Sequence, residues 1–248
     1  MKDDDKGIKE VEGGSIIEVH YTAILNENAG IGNKTDENKN EMHLEFSNNP
    51  NNEEETGTTP PEEVVVFTFD LNVHKYAKEG DAEKALQGAE FILYRKVGEQ
   101  KNYVKTGNNN KVSSWTDNKE EASVLTSDED GNFTISGLDT GVYFLEETKA
   151  PDGYNLLKDP VQIEIIAVYG NDESSGKQVI TNLSVKVGDV EEEGNVGDGS
   201  VTVGIENKPG SLLPETGGMG TTVLYILGGV LIVGAGAVLV LKKRGENR

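Results

Sequence analysis

Short segments in which every second residue is apolar dominate residues 63–209, and they constrain the fold more than any other feature of the chain. Examples are 89–95, 142–147, 161–168 and 179–187, separated by turns rich in glycine and asparagine. Successive side chains of a strand point to opposite faces, so this period of two predicts strands with one buried face. Many short strands joined by such turns favour an all-β sandwich.

Three of the predicted strands end their apolar row on a polar side chain, namely a lysine, a glutamate and an asparagine. The rows are Val65, Phe67, Phe69, Leu71, Val73 and then Lys75; Tyr143, Leu145 and then Glu147; and Val201, Val203, Ile205 and then Asn207. A single lysine at a strand end usually extends to solvent. Three polar residues that each continue a core-facing row, on the first, a middle and the last strand, predict a shared buried site.

The C-terminus carries a short polar motif, an apolar run and a basic tail in that order. Leu213, Pro214, Glu215, Thr216 and Gly217 precede the run, and Lys242-Lys243-Arg244 follow it. At 1.5 Å per residue, the predicted helix 222–241 is long enough to cross a hydrocarbon core of about 30 Å. Basic residues favour the cytoplasmic side of a membrane, so the chain before the helix is predicted to lie outside the cell.

The first 50 residues predict only part of a domain. Apolar residues alternate within 17–25 and again within 42–46, which indicates two or three strands, too few to close a sandwich. We therefore interpret residues 1–50 as the end of a preceding immunoglobulin-like domain and 51–62 as a linker. Met1–Lys6 is polar and acidic and does not resemble a signal peptide, so we expect further sequence upstream.

Composition narrows the possible partners and cofactors. The net charge of -21 argues against nucleic-acid binding, and the lack of cysteine excludes disulfides. We predict no metal site and no cofactor, because the three histidines are far apart in sequence and the acidic segment 128–132 lacks the EF-hand spacing. That segment is instead predicted to form a hairpin turn.

Residues 145–154, with the sequence LEETKAPDGY, resemble the E-box of Cna B-type domains, whose pattern is ETKAPxGY. Residues 70–75 and 201–207 are similar to the first and last strands of the same domains. The resemblance implies an immunoglobulin-like Cna B-type sandwich over 63–209, with an isopeptide bond between Lys75 and Asn207 and with Glu147 as proton shuttle. Burial favours a neutral amine and a neutral carboxylic acid, which suits these roles.

The competing carboxyl group is that of Glu146. Strand parity disfavours it, because Glu146 shares a face with Val142 and Phe144 rather than with Leu145. The sequence therefore predicts that Glu147 points into the core and that Glu146 points away from it.

The C-terminal arrangement resembles a sortase cell-wall sorting signal of the LPXTG type. It implies that a sortase cysteine attacks the carbonyl of Thr216, releases the segment from Gly217 onward and transfers the chain to an amine. Together the two resemblances imply the C-terminal part of a backbone pilin of a Gram-positive bacterium. Such a protein is a structural subunit that supports adhesion and is not an enzyme.

The partners implied are sortase, neighbouring pilin subunits, peptidoglycan and, before sorting, the membrane, with the mature protein anchored outside the cell in the wall. The alternative is a minor pilin or a wall-anchored adhesin with a Cna B-type stalk, because the Tyr-Pro-Lys-type acceptor motif of backbone pilins does not occur here. Residues 47–50 resemble the end of a preceding pilin domain, in which Asn48 would bond a lysine. The other interpretation of Asn48 is a polar turn residue.

Overall fold

The computed structural model describes residues 16, 18, 20, 25, 28–34, 38–47 and 56–210. Asn48, the sorting motif 213–217 and the predicted helix 222–241 lie outside these residues. In the described part of the chain, no helix has the length and apolar character needed to cross a membrane.

The described residues form strands and two short 3-10 turns, Asn108–Asn110 and Lys119–Glu121. The strands are β1 Lys39–Met42, β2 Glu45–Ser47, β3 Thr56–Thr58, β4 Glu62–Val65, β5 Phe69–Glu79, β6 Ala82–Ala85, β7 Glu90–Val97, β8 Gln100–Thr106, β9 Val112–Thr116, β10 Leu125–Thr126, β11 Asn132–Leu138, β12 Gly141–Lys149, β13 Val161–Asn171, β14 Gln178–Val187, β15 Val190–Glu193 and β16 Ser200–Glu206. The prediction of an all-β fold is confirmed.

Two sheets enclose the main core. The large sheet has eight strands in the order β15-β14-β13-β12-β7-β8-β9, with β10 paired to β7. The small sheet has four, in the order β11-β5-β16, with β6 paired to β5. The first and last strands of the sandwich, β5 and β16, are parallel neighbours, and Val201 lies opposite Leu71. This pairing brings the two ends of the domain sequence together.

The alternation of β5 produces the buried row that its sequence predicts. Phe69, Leu71, Val73, Lys75 and Ala77 are all buried, whereas the residues between them are partly exposed. Because Lys75 keeps the register of this row, its side chain enters the core with its apolar neighbours.

The acidic segment 128–132 forms a turn, but the turn does not belong to a hairpin. Asp128 Oδ1 accepts hydrogen bonds from the amides of Asp130 and Asn132, and Gly131 adopts a φ of +77°. The strands on either side belong to different sheets, since β10 pairs with β7 and β11 pairs with β5. The predicted hairpin is therefore wrong, because local turn chemistry does not specify which strands pair.

Two small antiparallel sheets lie before the sandwich in sequence. Strand β1 pairs with β4, and β2 pairs with β3. Strand β3 lies within the predicted linker, and β4 begins at its last residue, Glu62. The boundaries 1–50, 51–62, 63–209 and 210–248 stay predictions.

Residues 29–34 and Asn38, which we call the clasp, contact the sandwich where β5 and β16 begin. Gly32 donates from its amide to the carbonyl of Thr68 (2.8 Å), and the Asn33 side chain bonds both backbone groups of Ile180. The backbones of Gly32 and Gly199 cross so closely that a Cβ added to Gly199 would lie 2.3 Å from the Gly32 Cα. Both glycines have positive φ, so neither position suits a residue with a side chain.

Candidate functional site

The parallel pairing of β5 and β16 places Lys75 beside Asn207. Lys75 lies opposite Ile205 in the register, and Asn207 is the next residue on the same face as Ile205. Lys75 Nζ donates to the Ile205 carbonyl (2.9 Å) and to Asn207 Oδ1 (2.5 Å). Both side chains are completely buried, so water does not compete for these contacts.

Glu147 reaches the same point from the large sheet. Its Oε1 accepts a hydrogen bond from Asn207 Nδ2 at 2.9 Å and lies 4.0 Å from Lys75 Nζ. Its Oε2 lies 3.2 Å from the same nitrogen of Asn207 and also accepts from the amide of Leu157 at 2.8 Å. The site therefore joins the two sheets, with two residues from the small sheet and one from the large.

Strand parity separates the two adjacent glutamates of β12. Glu147 is only 4% exposed, whereas Glu146 points to the other face of the sheet and forms an ion pair with Lys119 at 2.6 Å. The structure thus brings Lys75, Glu147 and Asn207 together and leaves Glu146 apart.

Burial changes the ionisation of the lysine. Desolvation lowers the pKa of Lys75 to about 8, although the negative charges of Glu147 and Glu206 oppose this shift. At pH 7 a pKa near 8 leaves roughly a tenth of the molecules with a neutral amine, far more than for a solvated lysine. A nucleophilic amine, a carboxamide and a carboxyl group are the groups that an amide exchange requires.

Several participants of the site are backbone groups that no residue pattern identifies. The Ile205 carbonyl and the Leu157 amide make the contacts given above. The segment 153–155 also bonds the chain just beyond Asn207, since the Asn155 amide donates to the Lys208 carbonyl at 3.0 Å. A signal for this loop exists in the sequence, because Pro151-Asp152-Gly153 is typical of a tight turn.

In the part of the chain that the structure describes, no group of three or more histidine, aspartate or glutamate side chains is arranged to hold a metal ion. The sorting-signal residues 213–217 and Asn48 are not among the described residues, so their predicted roles rest on sequence.

Family comparisons agree with the sequence interpretation of both the β domain and the C-terminal anchor. Residues 70–183 match the SpaA family, described as a prealbumin-like fold domain. Residues 205–247 match the LPXTG cell wall anchor motif. The chain is also 32% identical over 106 residues to "Fimbrial subunit type 1" of Actinomyces viscosus, which covers 43% of this chain and 16% of that protein.

Solved structures similar to the chain include pilins. The pilus 2b backbone protein of group B streptococcus is 27% identical, with 77% of this chain and 57% of that chain covered and a TM-score of 0.48. The T6 backbone pilin of Streptococcus pyogenes is 16% identical, with 76% and 46% covered and a TM-score of 0.43. The chain thus spans about half the length of these two proteins and a smaller share of the fimbrial subunit.

The prealbumin-like domain and the anchor motif occur in one chain and follow each other in sequence. An LPXTG anchor places the protein outside the cell, attached to the wall of a Gram-positive bacterium. The chain therefore combines a prealbumin-like SpaA domain with an LPXTG cell wall anchor motif, and this combination supports a sortase-assembled Gram-positive pilin.

Proposed function

We propose that this pilin is a structural subunit of a wall-anchored pilus, that an isopeptide bond between Lys75 and Asn207 stiffens it, and that it supports adhesion. The observation that carries the proposal is the contact of Lys75, Asn207 and Glu147 in a site closed to water. Buried polar groups are retained in a core only when they are paired, and here the pairing also aligns reactive groups.

The proposed reaction exchanges one amide for another. The lone pair of neutral Lys75 Nζ attacks the side-chain carbonyl carbon of Asn207. Glu147 passes a proton from the attacking nitrogen to Asn207 Nδ2, to which it is already hydrogen-bonded. The bond from that carbon to Nδ2 breaks, ammonia leaves, and Nζ remains joined to Asn207. Packing of the two sheets holds the partners in place and replaces an active-site cleft.

In this proposal, the sortase reaction at Thr216 forms a second covalent bond. A sortase cysteine would attack the Thr216 carbonyl within 213–217, expel the segment that contains helix 222–241, and pass the chain to an amine. That amine would belong to a neighbouring subunit or to peptidoglycan. The helix and Lys242-Lys243-Arg244 would hold the precursor in the membrane until this step.

The position of the isopeptide bond has a mechanical consequence. It would join two parallel strands across 132 residues of sequence, so tension would pass from β5 to β16 through a covalent bond. Asn207 lies six residues before Leu213, where the sorting motif begins. Load applied at the sortase linkage would therefore reach Lys75 without stretching the strands between them.

The test is the intact mass of the purified full chain. The parent should be about 17 Da lighter than its sequence predicts, by the loss of one ammonia, and Lys75→Ala and Glu147→Gln should abolish this deficit. Glu146→Gln is the matched control, because the neighbouring carboxyl lies on the other face, and it should keep the deficit. A parent with its full sequence mass would exclude the bond.

A further inference from the structure

The loop 151–157 contacts both the carboxyl group and the asparagine strand of the site. Its Leu157 amide donates to Glu147 Oε2, and its segment 153–155 bonds the chain that follows Asn207. A single loop of the large sheet thus holds the two partners that must meet across the sandwich.

The contacts beyond Asn207 resemble a short extra ladder, which we call the exit clamp (residues 153–155 with 208–210). Asn155 donates from its amide to the Lys208 carbonyl (3.0 Å) and from Nδ2 to the Pro209 carbonyl (3.1 Å). Gly210 donates back to the Gly153 carbonyl at 2.8 Å, and Tyr154 forms a bridge with Pro209. The turn that positions the clamp is closed by a hydrogen bond from Tyr154 to Pro151, with Gly153 at a φ of +86°.

The exit clamp matters because Asn207 lies at a strand end. Strand β16 ends at Glu206, and Asn207 is held to β5 by one backbone bond, from its amide to the Tyr76 carbonyl. Terminal residues of strands open more readily than central ones. The clamp continues the pairing past Asn207, so the reactive residue lies between two bonded segments instead of at a free end.

The Leu157 contact orients the other partner. A carboxyl group that accepts an amide hydrogen bond on Oε2 keeps Oε1 directed at Asn207 Nδ2 and Lys75 Nζ. Proton transfer requires donor and acceptor within hydrogen-bond distance, so loss of this orientation slows the reaction even when the fold persists.

We propose that loop 151–157 is a positioning element for the Lys75–Asn207 reaction, so that the bond forms only after residues 208–210 have docked on it. This inference rests on the proposed isopeptide bond. It assigns to Asn155 and Gly210 a role in the rate of bond formation, although neither touches the reacting atoms. Under this proposal, strand β16 and the exit clamp form first, and the bond between Lys75 and Asn207 forms afterwards.

The experiment follows the 17 Da loss with time in full-length chains made by pulsed cell-free synthesis. The test variants are Asn155→Ala, Gly210→Pro and the double variant. Gly210→Pro removes the amide that bonds Gly153, whereas Gly210→Ala retains this amide but places a Cβ 3.3 Å from the Gly153 carbonyl oxygen. We expect bond formation to slow about tenfold or more in the double variant, the scale of a small misplacement of reacting groups, and to slow less in Gly210→Ala than in Gly210→Pro.

A second measurement separates positioning from folding. The same substitutions are made in a Lys75→Met chain, which cannot form the bond, and refolding is followed by the fluorescence of Trp115, the single tryptophan. Positioning predicts unchanged refolding with slowed bond formation. Equal bond-formation rates in the parent and the double variant would show that the loop does not position the reacting groups, and so would a slowing of bond formation matched by slower refolding. Either result would leave the proposed isopeptide bond itself in place. A parent without the 17 Da loss would overturn the bond and the loop together.

Discussion

The two ends of the β5–β16 pair are fastened by different chemistry. At the start of the strands, the clasp uses backbone amides, two asparagine side chains and a crossing of two glycines. At the other end, Lys75, Asn207 and Glu147 form a buried site with the groups for a covalent bond. Hydrogen bonds open and reform, whereas an isopeptide bond, once made, persists. The same two strands thus combine a reversible fastening with a proposed permanent one.

The largest effect is expected at the end that holds Lys75 and Asn207. Lys75→Met would prevent the proposed bond and so remove a closure of 132 residues, and on the chain-entropy account this loss should lower the free energy of unfolding by about 5 kcal/mol. Urea unfolding measures this loss, and Lys78→Met, at an exposed position of the same strand, is the control. A Lys75→Met protein as stable as the Lys78→Met protein would contradict a covalent fastening.

The next effect is a pH dependence produced by the buried amine when it stays unbonded. In Glu147→Gln the lysine lacks its carboxylate, and its pKa lies below the value of about 8 in the parent site, while the unfolded chain titrates near 10.5. Between these values the unfolded chain binds more protons, so the free energy of unfolding should rise as pH rises.

Unfolding of Glu147→Gln between pH 7.5 and 10 should be compared with that of the double variant Lys75→Met/Glu147→Gln. The double variant lacks the buried amine, so subtracting its pH profile removes the contribution of other titrating groups. Parallel profiles for the two proteins would show that Lys75 does not titrate from a buried position.

A third change breaks the clasp end. Gly199→Ala forces a side chain into the Gly32 backbone at a φ of +68°, and should cost about 2–4 kcal/mol. Gly188→Ala is the matched control, since its φ of +61° is similar but no atom lies within 4 Å of the added Cβ. It should cost only the conformational strain of about 1–2 kcal/mol. Equal losses in the two variants would show that the glycine crossing contributes nothing.

A smaller effect is expected from Asn33→Ala, which removes both bonds between this side chain and the backbone of Ile180. The loss should be about 1 kcal/mol, and the Ile180 amide should exchange faster with deuterium because its acceptor is gone. Amides in the centre of β14 serve as the internal reference. An unchanged exchange rate at the Ile180 amide would show that the clasp does not protect this strand from exchange.

The smallest effect is expected from Glu146→Gln, which removes an ion pair with Lys119 on the solvent side of the large sheet. Exposed pairs contribute at most about 1 kcal/mol, so the melting temperature should hardly move. The difference in melting temperature between Glu146→Gln and Glu147→Gln then tests whether the two glutamates lie on opposite faces of β12. A large loss from Glu146→Gln would contradict the assignment of faces.

The two ends also differ in how far the sequence predicted them. The alternation of β5, β12 and β16 placed Lys75, Glu147 and Asn207 on core-facing rows, because a period of two is a property of the chain itself. The clasp was not predicted. Gly32, Asn33 and Asn38 lie in a segment rich in glycine and asparagine that is typical of a surface loop. Its contacts involve residues far away in sequence, since Asn33 bonds Ile180, 147 positions away, and Gly32 crosses Gly199.

The sequence by itself determined the all-β class, the faces of the main strands, the lysine, glutamate and asparagine of the candidate site, and the anchor motif that gives the location. Each of these depends on local periodicity or on a contiguous motif. The tertiary structure decided which strands pair, that the turn at 128–132 connects two sheets, that β5 and β16 run parallel, and that loop 151–157 reaches both sides of the site. These features depend on contacts between residues distant in sequence, which packing of the whole sandwich selects and no short segment encodes.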